Sequence, residues 1–228
     1  MGLEEITARV KNIKKRLQNG NAFGEPVRLV AATKMQTVER INAAIEGGVD
    51  AVAENKAQEL RDKTGLLPCP KHFIGHLQSN KLKYVVGEVE LIHSCDRDAL
   101  AEEIAKLSLK KGLCSSVLLQ VNISEEESKG GYPFEEAKFA LKRLKDYEGL
   151  KVEGLMAMLP ETGDLALLKR LAKKMRNLFE EAREEDEKIR FLSMGMSGDY
   201  ELCIEQGSNM IRLGSTLFGK REYQKGRV

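Results

Sequence analysis

The sequence predicts an α/β protein whose fold is a single (β/α)8 TIM barrel with an extra helix at the amino terminus. Two observations carry this prediction. Short apolar segments alternate with helical ones along the chain, and such alternation implies a parallel sheet because each parallel return needs a crossover. Eight strand candidates occur in this order, and eight strands favour closure into a barrel over an open sheet.

The first element is an amphipathic helix. Within residues 1–17, apolar side chains recur at helical spacing with charged residues between them, which is typical of a surface helix and unlike a signal peptide. The apolar positions are Leu3, Ile6, Val10, Ile13 and Leu17. No helical pattern clearly follows the last strand candidate, so the outer layer of helices would lack a member there. We expect the amino-terminal helix to fill that place.

The strand candidates are short, rich in β-branched and apolar residues, and separated by helical or polar stretches. They span residues 27–34, 50–55, 72–76, 89–95, 115–122, 151–159, 189–195 and 210–219. The helical segments between them span residues 37–48, 56–63, 79–87, 96–112, 133–149, 165–182 and 198–207. Glycines follow several of these helices, as expected at helix ends, and the polar stretch 124–132 is predicted to be an enlarged loop.

Composition limits the possible partners. The 228 residues, 42% of them hydrophobic, are enough for one large domain, which we expect to span residues 1–228. A formal charge of +2 gives no reason to expect a nucleic-acid partner, and no apolar run approaches the roughly 20 residues that cross a bilayer. The cysteines form no CxxC pair, which is typical of reduced thiols, so we expect a cytoplasmic protein. We also expect it to be a monomer.

In barrels of this type the functional site forms at the carboxyl ends of the strands. Polar residues gather there in the sequence. The strand ends carry Lys34, Asn55, His76, Cys95, Asn122 and Leu159, the segment 193–199 after strand seven and the segment 214–216 after strand eight. His72 and His93 have no ligand-like spacing with the cysteines, so we expect no metal site.

The last two strand ends predict a phosphate site. Ser197 and Gly198 precede a helix, and Gly214, Ser215 and Thr216 end strand eight. Glycine N–H groups and hydroxyl donors together make a cup for an anion, and barrels commonly hold a phosphate after strands seven and eight. The alternative is that both segments are ordinary turns.

Lys34 ends an apolar strand that neighbours strand eight in a closed barrel. An amine beside a phosphate cup suits a cofactor with both an aldehyde and a phosphate, namely pyridoxal 5′-phosphate (PLP) bound as a Schiff base. The alternatives are a lysine that merely marks the return to solvent, or a site for some other phosphorylated metabolite. Arg212 shares a face with Gly214, and a buried guanidinium implies either a ligand or an ion pair with an acid on a neighbouring strand.

Six stretches of the sequence resemble a known family. They are LVAATK, GVDAVAENKAQE, HFIGHLQSNK, VEGLMAML, FLSMGMSGDYE and IRLGSTLFGKREY, and in order they cover essentially the whole chain. They are similar to the pyridoxal phosphate homeostasis proteins, whose barrel is like the amino-terminal domain of alanine racemases. HFIGHLQSNK and SMGMSGD are the most specific of these motifs.

The resemblance implies a role for each site residue. It implies PLP on Lys34, Asn55 on the side of the ring hydroxyl, and Arg212 at the pyridine nitrogen. The phosphate would be held by Ser197, Gly198, Gly214, Ser215 and Thr216. One departure is Lys56, which stands where many members have an aromatic residue, so the ring-edge contact of that residue is not expected here.

The sequence is compatible with two functions, one of a binding protein and one of an enzyme. The first is a PLP-binding protein that buffers the cofactor and delivers it to apoenzymes, without turnover of its own. The second is a racemase-like enzyme that uses Lys34 as a base. Racemases of this fold have an additional β-domain and a catalytic tyrosine from the partner subunit. The tyrosines here are Tyr84, Tyr132, Tyr147, Tyr200 and Tyr223, and none ends a strand candidate, which favours the binding protein.

Overall fold

The computed structural model describes residues 1–126 and 129–219, and eight parallel strands form a closed barrel within them. The strands are β1 (Arg28–Ala32), β2 (Ala51–Glu54), β3 (Lys71–Phe73), β4 (Leu91–Cys95), β5 (Ser115–Asn122), β6 (Leu150–Ala157), β7 (Phe191–Ser193) and β8 (Met210–Leu213). β1 pairs with both β2 and β8, and the pairing of β4 with β5 closes the ring. A two-residue strand, Tyr132–Pro133, lies against β5 outside this ring. The predicted (β/α)8 barrel is confirmed.

The barrel strands are buried on both faces, which explains their continuous apolar character. On β1, Leu29 and Ala31 pack outward against helices, whereas Val30 packs into the barrel. The interior cluster consists of Val30, Ala51, Ala53, Leu91, Leu118, Met156 and Met210. Because side chains alternate along a strand, the even-numbered residues of β1 face inward, and Lys34 lies two residues beyond the end of the strand.

The helices surround the barrel. They are α1 (Leu3–Arg16), α2 (Val38–Gly47), α3 (Ala57–Lys63), α4 (Asp98–Lys110), α5 (Phe134–Leu144), α6 (Leu165–Glu185), α7 (Tyr200–Glu205) and α8 (Ser215–Phe218). Between β3 and β4, where the sequence indicated a helix over 79–87, the chain forms only the 3-10 helix Ser79–Tyr84. Among the helices of the described residues, none combines the length and the apolar character that a bilayer crossing requires.

Helix α1 covers the gap beside β8, as predicted. It packs against α2 on one side and α8 on the other. The contact with α2 is close because of Gly47, where an added Cβ would lie 2.5 Å from the Cβ of Val10. Ile6, Val10 and Ile13 are buried, whereas Leu3 is 48% exposed and does not belong to the apolar face as the spacing predicted.

The short helix α8 was not predicted from the sequence. The sequence of residues 210–219 predicts one strand, but β8 ends at Leu213 and one helical turn begins at Ser215. Four residues are too few to show a helical period, so the pattern could not reveal this turn. The consequence is that Ser215 and Thr216 lie at the start of a helix and not inside a strand.

Candidate functional site

Lys34 lies at the carboxyl end of the barrel, as predicted. It belongs to a turn closed by a 3.0 Å hydrogen bond from the N–H of Gln36 to the carbonyl oxygen of Thr33. Ala32 pairs with Ala53 across β1 and β2. Because parallel strands keep this register, Asn55 follows β2 at the level at which Lys34 follows β1. The structure therefore brings the lysine and the asparagine to neighbouring positions on the rim.

Asn55 is held in place by a close backbone contact. A Cβ added to Gly75 would lie only 1.9 Å from the carbonyl oxygen of Asn55, so only glycine permits this approach of the two chains. The side-chain oxygen Oδ1 of Asn55 is buried and has no hydrogen-bond partner among the residues that the structure describes. A buried acceptor without a partner is costly, and a ligand that donates a hydrogen bond would remove that cost.

The loops after β7 and β8 meet through Ser197. Its Oγ accepts hydrogen bonds from the N–H groups of Gly214, at 3.3 Å, and Thr216, at 3.2 Å. Two backbone donors therefore converge on one point, where the hydroxyl oxygen satisfies them. Gly198 and Ser215 are exposed beside this point, and Ser197, Gly214 and Thr216 are half-buried. The five residues predicted to form a phosphate cup are thus close together at the rim.

Register relates this cup to Lys34. Val30 of β1 pairs with Arg212 of β8 and Ala31 with Leu213, so Gly214 is level with Ala32. A Cβ added to Gly214 would lie 3.7 Å from the Cβ of Ala32, which confirms that the two strand ends are adjacent. Lys34, which follows β1, and the converging N–H groups, which follow β8, therefore lie at neighbouring strand ends of the barrel.

Arg212 is buried inside the barrel, with 4% of its surface exposed. Its Nη1 donates to the carbonyl oxygen of Ser193 at 2.8 Å and to the hydroxyl of Ser193 at 2.5 Å, and its Nη2 donates to the carbonyl oxygen of Ala157 at 3.1 Å. No ion pair joins Arg212 to a carboxylate within the described residues. Burial lowers the pKa of Arg212 to about 10, so the group remains a cation at neutral pH, with neutral oxygens as its described partners.

A chain of hydrogen bonds continues from Arg212 through the barrel interior. Ser193 Oγ lies 3.0 Å from His93 Nδ1, and His93 Nε2 lies 3.0 Å from His72 Nδ1. Burial lowers the pKa of His72 to about 4 and that of His93 well below its usual range, with the charges of Arg28 and Arg212 adding to the effect. Both imidazoles are therefore neutral at pH 7. The sequence does not reveal this chain, because the spacing of the two histidines bears only on metal ligation and not on their contact across neighbouring strands.

The opposite side of the rim is formed by the loop after β5. The amide of Asn122 donates to the carbonyl oxygens of Glu126 and Lys129, each at 2.9 Å, and so ties the loop to the strand end. His76 lies nearby, with its Nδ1 3.2 Å from Asp96 Oδ2. The side chains of Cys95 and Leu159 are buried, and the carbonyl oxygen of Leu159 accepts a hydrogen bond from Lys129 Nζ at 3.3 Å. Within the described ranges, no cluster of three or more histidine, cysteine or acidic side chains could hold a metal ion.

The residues at this rim fit PLP on three structural grounds. Two backbone N–H groups converge as a phosphate would require, Asn55 Oδ1 is a buried acceptor without a described partner, and Arg212 is a buried cation with neutral partners. Each of these groups could pair with an anionic or hydrogen-bonding ligand. A Schiff-base cofactor needs in addition an amine beside the cup, which is the position of Lys34.

Comparison with known proteins places the chain among its relatives. The family model described as the alanine racemase N-terminal domain matches residues 2–222. A pyridoxal phosphate homeostasis protein of Aquifex aeolicus is 36% identical, over 96% of this chain and 98% of its own length. The structure of PipY from Synechococcus elongatus PCC7942 without PLP has a TM-score of 0.85, with 30% identity, and covers 94% of this chain and 100% of PipY.

PipY has also been solved with PLP bound. That structure has a TM-score of 0.81 and 28% identity, and it again covers 94% of this chain and 100% of PipY. The matches therefore extend over nearly the full length of both partners. With a family match over residues 2–222 and full-length relatives above 30% identity, the chain belongs to the alanine racemase N-terminal domain family and, within it, to the pyridoxal phosphate homeostasis proteins.

Proposed function

We propose that residues 1–228 form a single PLP-binding barrel domain that joins the cofactor covalently to Lys34, buffers it in the cytoplasm and delivers it to PLP-dependent apoenzymes. The observation that carries the proposal is the register of the strand ends, which makes Lys34 a neighbour both of Asn55 and of the cup at Ser197. The relative PipY, solved with PLP bound, supports it. We also propose that the protein acts as a monomer.

The phosphate is assigned to the cup. The N–H groups of Gly214 and Thr216 would turn from Ser197 Oγ to phosphate oxygens, and the Ser197 hydroxyl would donate as well. The hydroxyls and N–H groups of Ser215, Thr216 and Gly198 lie close enough along the chain to contribute further donors. Because hydrogen bonds to a charged group are stronger than neutral ones, these donors would supply much of the affinity.

Arg212 is assigned to the pyridine nitrogen. When bound, PLP supplies an aldehyde that reacts with amines and a ring that withdraws electrons best when its nitrogen is protonated. Arginine is a donor only and remains charged, so it donates to this nitrogen and its charge opposes protonation there. Ser193 and the carbonyl of Ala157 orient the guanidinium. This arrangement keeps the ring a poor electron sink, which suits storage better than turnover.

A second acid opposite Lys34 would be required for racemisation. Among the described residues, the buried tyrosines are engaged elsewhere: Tyr132 donates to Asp98 at 2.8 Å and Tyr200 to Glu201 at 3.0 Å. Tyr223 lies outside the described residues. The full-length relatives are named as homeostasis proteins. A binding protein without turnover is therefore the function that we propose, in preference to a racemase-like enzyme.

A spectrum and a chemical trap test this function. The purified protein with PLP is expected to absorb in the near-visible range, and after borohydride reduction and proteolysis the peptide that contains Lys34 should carry the pyridoxyl mass. Lys34→Ala should lose the band and keep the fold, with Lys110→Ala as the surface control. Modification of surface lysines only would refute the proposal. Binding of other phosphorylated metabolites without a band would favour the alternative that the cup serves a different ligand.

A further inference from the structure

The backbone around Lys34 is held by charged side chains from a neighbouring helix. Two peptide groups flank the Cα of Lys34: one contains the carbonyl of Thr33, and the other contains the N–H of Met35. The Nζ of Lys63 donates to the Thr33 oxygen at 3.3 Å, and the N–H of Met35 donates to Glu59 Oε2 at 2.8 Å. Both contacts come from α3, so one helix holds the peptide groups on both sides of Lys34.

The two residues of α3 are linked to each other and to the barrel. Lys63 Nζ lies 3.0 Å from Glu59 Oε2 and 2.8 Å from Glu54 Oε1. With Thr33, this gives the ammonium group three acceptors for its three N–H donors. Thr33 Oγ1 donates to the same Glu54 oxygen at 2.7 Å, which joins the network to the end of β2. The network is largely buried, since Lys63 is 14% and Glu54 2% exposed.

The conformation of Met35 indicates why the turn needs such support. Its φ is +61°, in the left-handed region that non-glycine residues seldom adopt. Its side chain is 74% exposed, so packing of that side chain cannot hold the conformation. A strained backbone persists only where its surroundings fix it, and the described contact of the Met35 N–H is the carboxylate of Glu59.

We infer that Glu59 and Lys63 are positioning residues that set the approach of the Lys34 amine to the aldehyde of PLP. This inference rests on the proposed function of Lys34. In the reaction, the neutral amine adds to the aldehyde carbon, a C=N bond forms, and the carbonyl oxygen leaves as water with both amine protons. Reactions of this kind depend strongly on the orientation of the reacting groups, which the clamped turn supplies.

The test separates positioning from binding. Glu59→Ala removes the acceptor of the Met35 N–H, whereas Glu59→Gln keeps an oxygen at that place. Glu102→Ala is the matched control, because Glu102 forms an exposed pair with Lys106 at the same i, i+4 spacing on α4. Two ligands are compared for each protein: PLP, followed by its near-visible band, and 4′-deoxypyridoxine 5′-phosphate, which has no aldehyde and can only bind.

In Glu59→Ala, the rate constant for appearance of the band is expected to fall about ten- to a hundredfold. The dissociation constant of the deoxy analogue should change less than about threefold. Glu59→Gln should recover most of the rate, and Glu102→Ala should equal the wild type. In the cofactor-free protein, the Met35 amide should exchange with deuterium faster in Glu59→Ala than in the wild type. The last measurement does not depend on PLP.

Two results would overturn the inference. One is an unchanged rate in Glu59→Ala, and the other is an equal loss for PLP and for the deoxy analogue, which would mean that α3 only stabilises the site. If Glu59→Ala does not fold, the same measurements on Glu54→Gln combined with Lys63→Met, which removes the contact with the Thr33 carbonyl, decide the question. Absence of the band in the wild type would instead refute the proposed function itself, so the two failures are distinguishable.

Discussion

The imidazoles of His72 and His93 are joined by a 3.0 Å hydrogen bond inside the barrel, and His93 is joined in turn to the serine that contacts Arg212. A buried pair of this kind must remain neutral, because two adjacent cations at 0–4% exposure would be strongly destabilising. The two imidazoles therefore stay unprotonated in the folded protein at pH values at which the same side chains bind protons in the unfolded chain.

This exclusion predicts that stability falls as the pH is lowered below about 6.5. The pKa of His72 is near 4 in the folded protein and near 6.5 when unfolded, so the unfolded chain binds the extra proton between these values. When the pH is lowered from about 7.5 to 5, the proton that His72 binds only in the unfolded chain should lower the free energy of unfolding by about 2 kcal/mol. Urea unfolding at the two pH values measures this. His72→Gln should reduce the difference, and an unchanged difference in this variant would contradict the prediction.

The phosphate cup predicts a selective loss of affinity. Ser197→Ala combined with Thr216→Val removes two hydroxyl donors at the point where the N–H groups of Gly214 and Thr216 converge. At about 1.5–3 kcal/mol for a hydrogen bond to a charged group, PLP should bind on the order of a hundredfold more weakly. Unphosphorylated pyridoxal should be much less affected. Titration of both ligands decides the matter, and equal weakening would mean that the phosphate lies elsewhere.

Arg212 predicts the absence of turnover. With common amino acids, the PLP-loaded protein should racemise, transaminate or decarboxylate none of them at about 1 s⁻¹ or faster, the lower end of ordinary enzyme rates. Arg212→Glu should favour protonation of the ring nitrogen and permit slow side reactions. Chiral chromatography and keto-acid assays measure both, and a circular dichroism melt establishes that the variant is folded. If the wild-type protein converts an amino acid at an ordinary enzymatic rate, it is not a binding protein without turnover.

Replacing a second buried arginine, which lies far from the site, is expected to destabilise the fold. Arg176 is 4% exposed, lies 4.0 Å from the ring centroid of Phe23, and pairs with Glu25 at 2.6 Å. Burial alone would raise the pKa of Glu25, but hydrogen bonds from Arg176, Asn21 and Arg183 lower it to about 2. Arg176→Met should lower the free energy of unfolding by about 3 kcal/mol, because the carboxylate loses its buried partner. Arg183→Met, which removes the exposed partner of Glu25, should cost less than about 1 kcal/mol.

The sequence was sufficient for the barrel and for the placement of the rim residues. Segments such as 27–34 are apolar on both faces, which few folds other than a parallel sheet allow, and the last residues of these segments must then meet at one end. Lys34, Asn55 and Ser197 were found in this way. Their roles toward PLP remain a proposal, since position on a rim does not by itself fix a contact.

The networks behind the rim could not be predicted. The His72–His93 contact joins residues of adjacent strands, and it depends on register and on the direction of each side chain, which one sequence does not reveal. The same holds for Glu59 and Lys63, whose i, i+4 spacing is typical of any surface helix. Their contacts with the turn at Lys34 arise only because β1 and β2 are neighbours. The motifs thus predicted which residues lie at the rim, but not the contacts that hold those residues in place.

The position of α1 has a consequence for how the chain matures on the ribosome. One flank of α1 meets α2, which is synthesised soon afterwards, but Arg9 Nη1 donates to the carbonyl oxygen of Thr216, 207 residues later. The same late segment carries the phosphate cup. A nascent chain must therefore keep the other flank of its first helix exposed until the segment around Thr216 has emerged from the ribosome, so the cup cannot be completed before that point.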